Sequence, residues 1–539
     1  VDCFPVDGHT LGLRLRTGRG DFDRVEVIYT DNKFTWTQKR RRLRMERALS
    51  DSRFDYYTAR LHGEDSRFAY IFRLHAGDES WYLCEEGLSR TFRYPLGYFN
   101  YFQYPYIHGS EVLRVPEWVR GAVCYQVFPD RFRIGSGKAD RSYINLPWGE
   151  KPTPGSFAGG DLDGVREGLP YLKELGVSLL YLTPVFRSRS NHKYDVEDYY
   201  EVDACFGGNE ALRALVKAAH AAGIRVMLDG VFNHCSNENA IFQDVIRRGR
   251  RSPYYGWFYV DGDAACVERR NYLTFADVPY MPKLNTENDA VIDYFCQVGT
   301  HWVTEYGIDG WRLDVADEIA PRFLRRFREA VKAANPEALI VGEVWHEAHD
   351  WLAGDRFDGV MNYGLTKACL DLLAFGTIDA RGFADRLVLL LMRCTDPANE
   401  MMFNLLDSHD TERFLTRVKG DVRRLRLAMA VAFFLPGIPF LFAGDEIGVM
   451  GGYDPDCRRT FEWDRSRWDG ELFRLAQRLA ALRRTAPLAR GTAAVEEENG
   501  VVRILRRHGG RRAELLINPG ETPRAAFGAS VSPMDFLIR

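Results

Sequence analysis

No apolar run in this chain reaches the ~18–20 residues that a membrane-spanning helix needs. The longest, 427–443, is interrupted by Pro436, Gly437 and Pro439. No basic, apolar leader stands at Val1, so no export signal is read there and a cytoplasmic setting is expected. There is no C-x-x-C pair among the ten cysteines, and several of them sit inside apolar runs. Buried free thiols in a reducing compartment fit this better than a disulfide framework or a zinc site. There is little net charge, −3, which excludes a nucleic-acid or membrane-surface partner recruited by bulk charge. The densest basic cluster, Lys39–Arg42, reads as a solvated loop or hairpin face. Repeats and low-complexity segments are also missing.

What is present is 539 residues, 46% apolar, enough for about three domains. Residues 1–117 carry short alternating segments at Leu11, Arg24, Tyr56, Phe68 and Ser80, with turns between them. That pattern predicts an antiparallel β-sandwich. The aromatic tract Tyr94–Tyr106 suits either a contact surface or a linker packed on the next domain. From residue 118 to 487 apolar strands alternate with amphipathic helices. Strands are expected at 122–128, 178–182, 224–228, 308–313, 339–341, 357–361, 402–406 and 439–442. Eight strands in βα alternation predict an α/β fold, a (β/α)8 TIM barrel. The long irregular stretch 235–289 reads as a small inserted domain after strand three, beside the active site. Residues 488–539 return to short strands and predict a C-terminal all-β domain.

The stretch around which the chain is organised is Gly307–Glu318, GIDGWRLDVADE. Arg312 and Asp314 stand two apart, on one face of a strand. The C-terminal ends of barrel strands are where such folds keep their chemistry. A neighbouring guanidinium is expected to lower the carboxylate's pKa and keep it ionised. Three other polar clusters also follow strands: Asp229 to Asn233-His234, Glu343-Val344-Trp345-His346, and Asp407-Ser408-His409-Asp410. One acid at a strand end is often only a helix cap. Four clusters in register, each mixing a carboxylate with His, Asn or Arg, point instead to a shared site. Converging acids suit retaining glycoside chemistry, with an ionised nucleophile and a protonated acid/base ~5–5.5 Å apart. Arg312 suits Asp314 to the first role. The apolar strand before Glu343, with Val344 and Trp345 beside it, suits Glu343 to the second. Asp410 is left to hold sugar hydroxyls or offset transition-state charge. His234 and His409 can donate to hydroxyls, and Tyr194, Trp345 and Tyr363 can stack on sugar rings.

The blocks DGVFNH, GWRLDVADE, EVWH and LLDSHD resemble, in order, the four motifs of the α-amylase family of glycoside hydrolases. MPKLN at Met281–Asn285 resembles the marker of the branch containing neopullulanase, cyclomaltodextrinase and maltogenic amylase. That branch also carries an N-terminal β-sandwich of the starch-binding-module type. The resemblance implies catalytic roles for Asp314 (nucleophile), Glu343 (acid/base) and Asp410 (transition-state stabiliser). It implies substrate binding by Arg312, His192, His234, His409 and Tyr194 at the cleavage site. Asp454 and Arg458 would bound the non-reducing side and Trp345 the leaving-group side, and Tyr363 and Glu318 are further candidate substrate-binding residues. It further implies hydrolysis of α-1,4 bonds in cyclodextrins, maltodextrins and pullulan, with transglycosylation, and a homodimer in which one sandwich roofs the other subunit's site.

Two places depart from the family's pattern. The loop Arg133–Asp140, where many members bind calcium, has Ile134 and Ser136 at positions expected to supply oxygen ligands. Calcium takes six to eight oxygens. No resident metal is therefore expected, and Lys138 is the candidate for the positive charge. Asp317 stands where the branch usually has Asn. Other readings are a transglycosylase or α-1,6-acting relative, and a carbohydrate-binding homologue without catalysis. The last predicts a missing acid, and all three acids are present.

Overall fold

The computed structural model describes residues 2–94 and 100–539. Part of the aromatic tract at Tyr94–Tyr106 thus lies outside the described residues. Eight short strands form one parallel sheet. They are β1 (Cys124–Val127), β2 (Leu179–Leu182), β3 (Arg225–Gly230), β4 (Gly310–Leu313), β5 (Leu339–Gly342), β6 (Gly359–Val360), β7 (Phe403–Asn404) and β8 (Ile438–Phe442). Each of β1 to β5 hydrogen-bonds to the next in sequence, β5 pairs with β6, and β8 pairs with both β7 and β1. A parallel bridge between Met361 and Phe403 joins the two ends, so the sheet closes into the expected barrel. Its strands are apolar and buried on both faces, as helix-covered parallel strands must be.

The outer helices turn apolar side chains toward the barrel; Val422–Phe434, buried without a break from Leu427 to Phe434, is covered on its outer side as well. In Pro321–Ala334 the apolar stripe is Phe323, Leu324, Phe327 and Val331, while the arginines between them stay outside. The crossover between β1 and β2 holds two short helices, Leu162–Glu167 and Leu169–Leu175, that meet at Gly168. Gly310 has a packing reason. A Cβ there would run into the Leu339 carbonyl of β5, so the tight β4–β5 approach requires glycine.

The N-terminal region packs two antiparallel sheets face to face. One contains Asp2–Asp7, Thr10–Gly18, Phe54–His62 and Glu46–Ser50. The other runs from Arg41–Arg44 through Arg24–Thr30 and Ala69–Ala76 to Glu79–Cys84 and Gly87–Ser89. Arg41–Arg44 is an edge strand with every side chain exposed, so the basic cluster coats an edge that would otherwise template pairing. The chain changes sheets at the buried Met45. Arg14 reaches from the sandwich to the barrel, where it pairs with Asp396 at 2.6 Å and donates to the Met392 carbonyl at 3.3 Å.

At the other end, Thr492–Glu498, Val501–His508, Arg511–Asn518 and Asp535–Ile538 form an antiparallel sheet. Arg506 ties it to the barrel. Its buried guanidinium donates to the carbonyls of Phe434, Leu488 and Gly491 at 2.7, 3.0 and 2.8 Å. Phe434 ends the helix Val422–Phe434, so the cation satisfies a helix-terminal carbonyl that has no partner within the helix.

Candidate active site

All four polar clusters open on the C-terminal mouth of the barrel. Arg312, on β4, is fully buried at their centre. Its Nη1 donates to Asp229 at 2.8 and 2.9 Å and to Asp314 Oδ1 at 2.7 Å, and its Nη2 lies 3.0 Å from Glu343 Oε1. One guanidinium therefore serves three carboxyl groups, from the ends of β3, β4 and β5. Asp229 also accepts from the Tyr181 hydroxyl at 2.5 Å and the Tyr194 hydroxyl at 3.0 Å.

This sharing changes the expected electrostatics of Asp314. Arg312 was expected to lower its pKa. The group is instead held well above the usual carboxylate range, by burial first and by the charges of Glu343, Asp229 and Asp410, against the pull of Arg312. Burial raises Glu343 too, with Arg312 opposing and Asp410 reinforcing. Asp229 is pushed up to about 6, again mainly by burial. The physical result is a cluster in which every carboxyl is harder to ionise than usual, because one cation cannot offset three buried anions.

The two acids are also tied through the backbone. Val315, directly after Asp314, has φ 45° and ψ 46°, a left-handed conformation rare for a β-branched residue. That turn aims the Val315 N–H at Glu343 Oε2, 2.9 Å away. Trp345 Nε1 donates to Glu343 Oε1 at 3.1 Å. Strain at 315 and the indole of 345 thus hold the Glu343 carboxyl from both sides.

Asp410, after β7, is partly exposed across the mouth. Arg458 Nη2 lies 3.2 Å from its Oδ1, and His409 Nε2 lies 3.3 Å from its Oδ2. Arg458 also pairs with Asp454 at 3.0 Å. Three histidines complete the wall, and burial keeps all of them neutral. His192 is pulled down to about 4 and His234 to about 3, while His409 falls well below its ordinary range. His234 stacks on Phe275 with centroids 4.7 Å apart, and among the described residues its buried Nε2 has no hydrogen-bond partner of good geometry. Tyr194 lies parallel to His409, with centroids 5.5 Å apart. A cavity of about 620 Å³ runs from here past Asn191, His192, Tyr280, Asp454 and Arg458.

Two expected sugar contacts need comment. Tyr363 does not offer a free ring face. It is buried under Trp345, with centroids 4.0 Å apart and planes 8° from parallel, so it backs the half-exposed indole. Glu318 stands at the rim, exposed, with Lys283 at 2.8 Å. Lys283, Phe275 and Gln126 were not singled out from sequence, and Asp229 was named there only as the first acid of its cluster. Gln126 had left a signal, a polar side chain inside an apolar strand.

The residues do not fit a calcium site in the loop after β1. Asp161 spends Oδ1 on the N–H groups of Gly135 and Gly164, at 3.0 and 2.7 Å. Its Oδ2 meets Lys138 Nζ at 3.1 Å, and that buried ammonium also donates to the Cys205 carbonyl at 2.6 Å. Asp130 is taken up by Arg131 and by the N–H groups of Ala158 and Gly159. Among the described residues there is no cluster of three His, Cys, Asp or Glu arranged to hold a metal.

A closed (β/α)8 barrel whose mouth gathers paired carboxyl groups, neutral histidines and a half-exposed indole is a sugar-cleaving hydrolase in class. Comparison with known proteins agrees. The family model of the α-amylase catalytic domain matches residues 126–476, and that of the α-amylase N-terminal Ig-like domain matches residues 1–108. Cyclomaltodextrinase of Thermoanaerobacter pseudethanolicus is 44% identical over 89% of this chain and 84% of its own. Neopullulanase 2 of Thermoactinomyces vulgaris is 44% identical over 91% and 84%. The intracellular maltogenic amylase of Bacillus subtilis strain 168 is 39% identical over 90% and 82%. A solved cyclomaltodextrinase structure superposes with a TM-score of 0.91, at 40% identity, covering 97% of this chain and 90% of that one. The chain belongs to the α-amylase family, in the branch of cyclomaltodextrinase, neopullulanase and maltogenic amylase.

Replacing Lys138 by Met should lower the thermal midpoint, because it strands a buried carboxylate at a cost of about 3 kcal/mol. A chelator should leave the midpoint and activity of the native protein unchanged. Thermal scans of both proteins with and without chelator check this, and a fall on chelation alone would restore a metal role.

Proposed function

We propose that this protein is a retaining glycoside hydrolase. It would cleave α-1,4-glucosidic bonds of cyclodextrins, maltodextrins and pullulan, and transfer glycosyl groups to sugar acceptors. The observation that carries the reading is the single guanidinium of Arg312 gripping Asp314 and Glu343 together at the barrel mouth.

In this reading Asp314 attacks the anomeric carbon while Glu343 gives its proton to the departing glycosidic oxygen. The glycosyl group is then held as an ester on Asp314. Glu343, now a carboxylate stabilised by the Val315 N–H and the Trp345 indole, takes a proton from water or from a sugar hydroxyl, and that oxygen attacks the same carbon. Asp410, steadied by Arg458, holds the sugar and offsets positive charge at the transition state. His234 Nε2 is free to meet a sugar hydroxyl. Trp345, backed by Tyr363, offers its outer face to the acceptor. Asp454 and Arg458 close the non-reducing side, and Glu318 sits at the acceptor rim.

The three domains would be 1–117, 118–487 and 488–539, with 235–289 inserted. A homodimer in the cytoplasm completes the reading. The exposed large apolar side chains include Tyr280, Trp345 and Tyr453 near the site residues, and Phe34, Leu43, Leu88 and Tyr106 on the sandwich. A sandwich laid over a neighbour's mouth would cover both groups. It would narrow access for bulky starch and leave room for rings and short chains.

Asp314→Ala or Glu343→Gln should each lower kcat by roughly three or more powers of ten, as loss of a group acting in the transition state does. In the native protein, polarimetry or NMR should show the α anomer first, and pullulan should yield panose. An initial β product would exclude double displacement.

The rate should follow a bell in pH. On the alkaline side it falls as the cluster loses the proton that Glu343 delivers, and burial places that limb above the ordinary carboxyl range. On the acid side it falls as the nucleophile is protonated. Rates across pH on a short maltodextrin check both limbs.

Sedimentation should give a dimer for the full chain and a monomer for a chain beginning near Arg114. Phe34→Asp should weaken association without changing the fold.

A further inference from the structure

Gln126 lies within β1 and is fully buried, with its Nε2 2.7 Å from His409 Nδ1 and its Oε1 buried without a partner among the described residues. A neutral imidazole has one N–H, so one ring nitrogen donates and the other accepts. Burial first, then Arg458 and Arg312, keep His409 neutral. Which nitrogen carries the proton is decided on the opposite side of the ring. The Tyr194 hydroxyl and Asp410 Oδ2 face Nε2, the latter at 3.3 Å. The same hydroxyl lies 3.0 Å from Asp229 Oδ2, and a phenol has only one proton to give.

Suppose Nε2 were bare. Tyr194 would donate to it and leave its own oxygen against the Asp229 carboxylate, lone pair to lone pair. Asp410 would also face a lone pair. With the proton on Nε2, both conflicts vanish. Tyr194 donates to Asp229, and the imidazole N–H points at Tyr194 and Asp410. Nδ1 is then the bare nitrogen, and the group opposite must donate. The amide of Gln126 does so.

We propose that Gln126 is a positioning residue that locks His409 in the Nε2–H tautomer, so that this histidine presents a donor to the mouth of the site. The bond crosses the barrel from β1 to the loop after β7, joining residues 283 positions apart. The orphaned Oε1 is the cost of that lock, since the amide cannot turn without withdrawing its donor from Nδ1. Only the kinetic consequence rests on the glycosidase reading, because the tautomer is a property of the resting protein.

Full-length protein labelled with 15N-histidine tests this by long-range proton–nitrogen correlation, with His409 assigned from its loss in His409→Asn. His409 should show a protonated Nε2 and a bare Nδ1 between about pH 5 and 8. A bare Nε2 would overturn the proposal, whatever the protein proves to catalyse. Gln126→Glu adds a second reading. While its carboxyl is protonated it can donate to Nδ1 and spare the tautomer. Once ionised it accepts, draws the proton to Nδ1, and should cut kcat/KM by about tenfold or more. The variant-to-native ratio should therefore fall as pH rises, and a ratio independent of pH would overturn the proposal. Should that variant fail to fold, the native spectrum still decides.

Discussion

A single buried guanidinium among three carboxyl groups is the constraint on which the rest of this site depends. Burying Arg312 without anions would be prohibitive, and burying Asp229, Asp314 and Glu343 without a cation would force all of them neutral. Together they leave three buried carboxyl groups, each harder to ionise than usual, gathered on one cation. The barrel supplies the geometry. β3, β4 and β5 are adjacent and parallel, so residues at their C-terminal ends arrive at the same height within reach of one side chain.

Around this centre the supporting contacts share a logic. Val315 accepts backbone strain so that its N–H meets Glu343, and Trp345 is pressed flat on Tyr363 so that its indole N–H does the same. Buried cations act as ties away from the chemistry. Lys138 draws the loop after β1 onto Asp161 and the Cys205 carbonyl, and Arg506 seats the C-terminal sheet on a helix end. Each tie pairs the cation with oxygens whose geometry is already set by the fold.

Much of the fold was legible in the chain. Apolar runs of four to six residues, spaced by amphipathic helices, located all eight barrel strands. Among the strands that escaped were Asp2–Asp7, where Pro5 interrupts the pattern, the fully exposed Arg41–Arg44, and Thr492–Glu498, whose TAAVEEE has little β-branched or aromatic content. Among site residues, the acids and histidines stood out because charge at the end of an apolar strand is rare without purpose. Tyr363 could not be placed from sequence, since an aromatic near a catalytic motif reads alike whether it faces a ligand or backs a neighbour, and in the structure it backs Trp345. Asp229 looked like one acid in a motif and proved to be the third carboxyl on Arg312.

The sequence by itself determined the class of fold, the family and the order in which the chemical groups come along the chain. These are matters of local pattern, since periodicity and motif spacing survive in one dimension. Only the tertiary structure decided how Arg312 is divided among its carboxyl groups, which way the Asp314 pKa moves, which ring face Tyr363 gives up, and which nitrogen of His409 carries the proton. Each of these depends on distances of about 3 Å between groups tens or hundreds of positions apart, and on the exclusion of water that makes such distances matter.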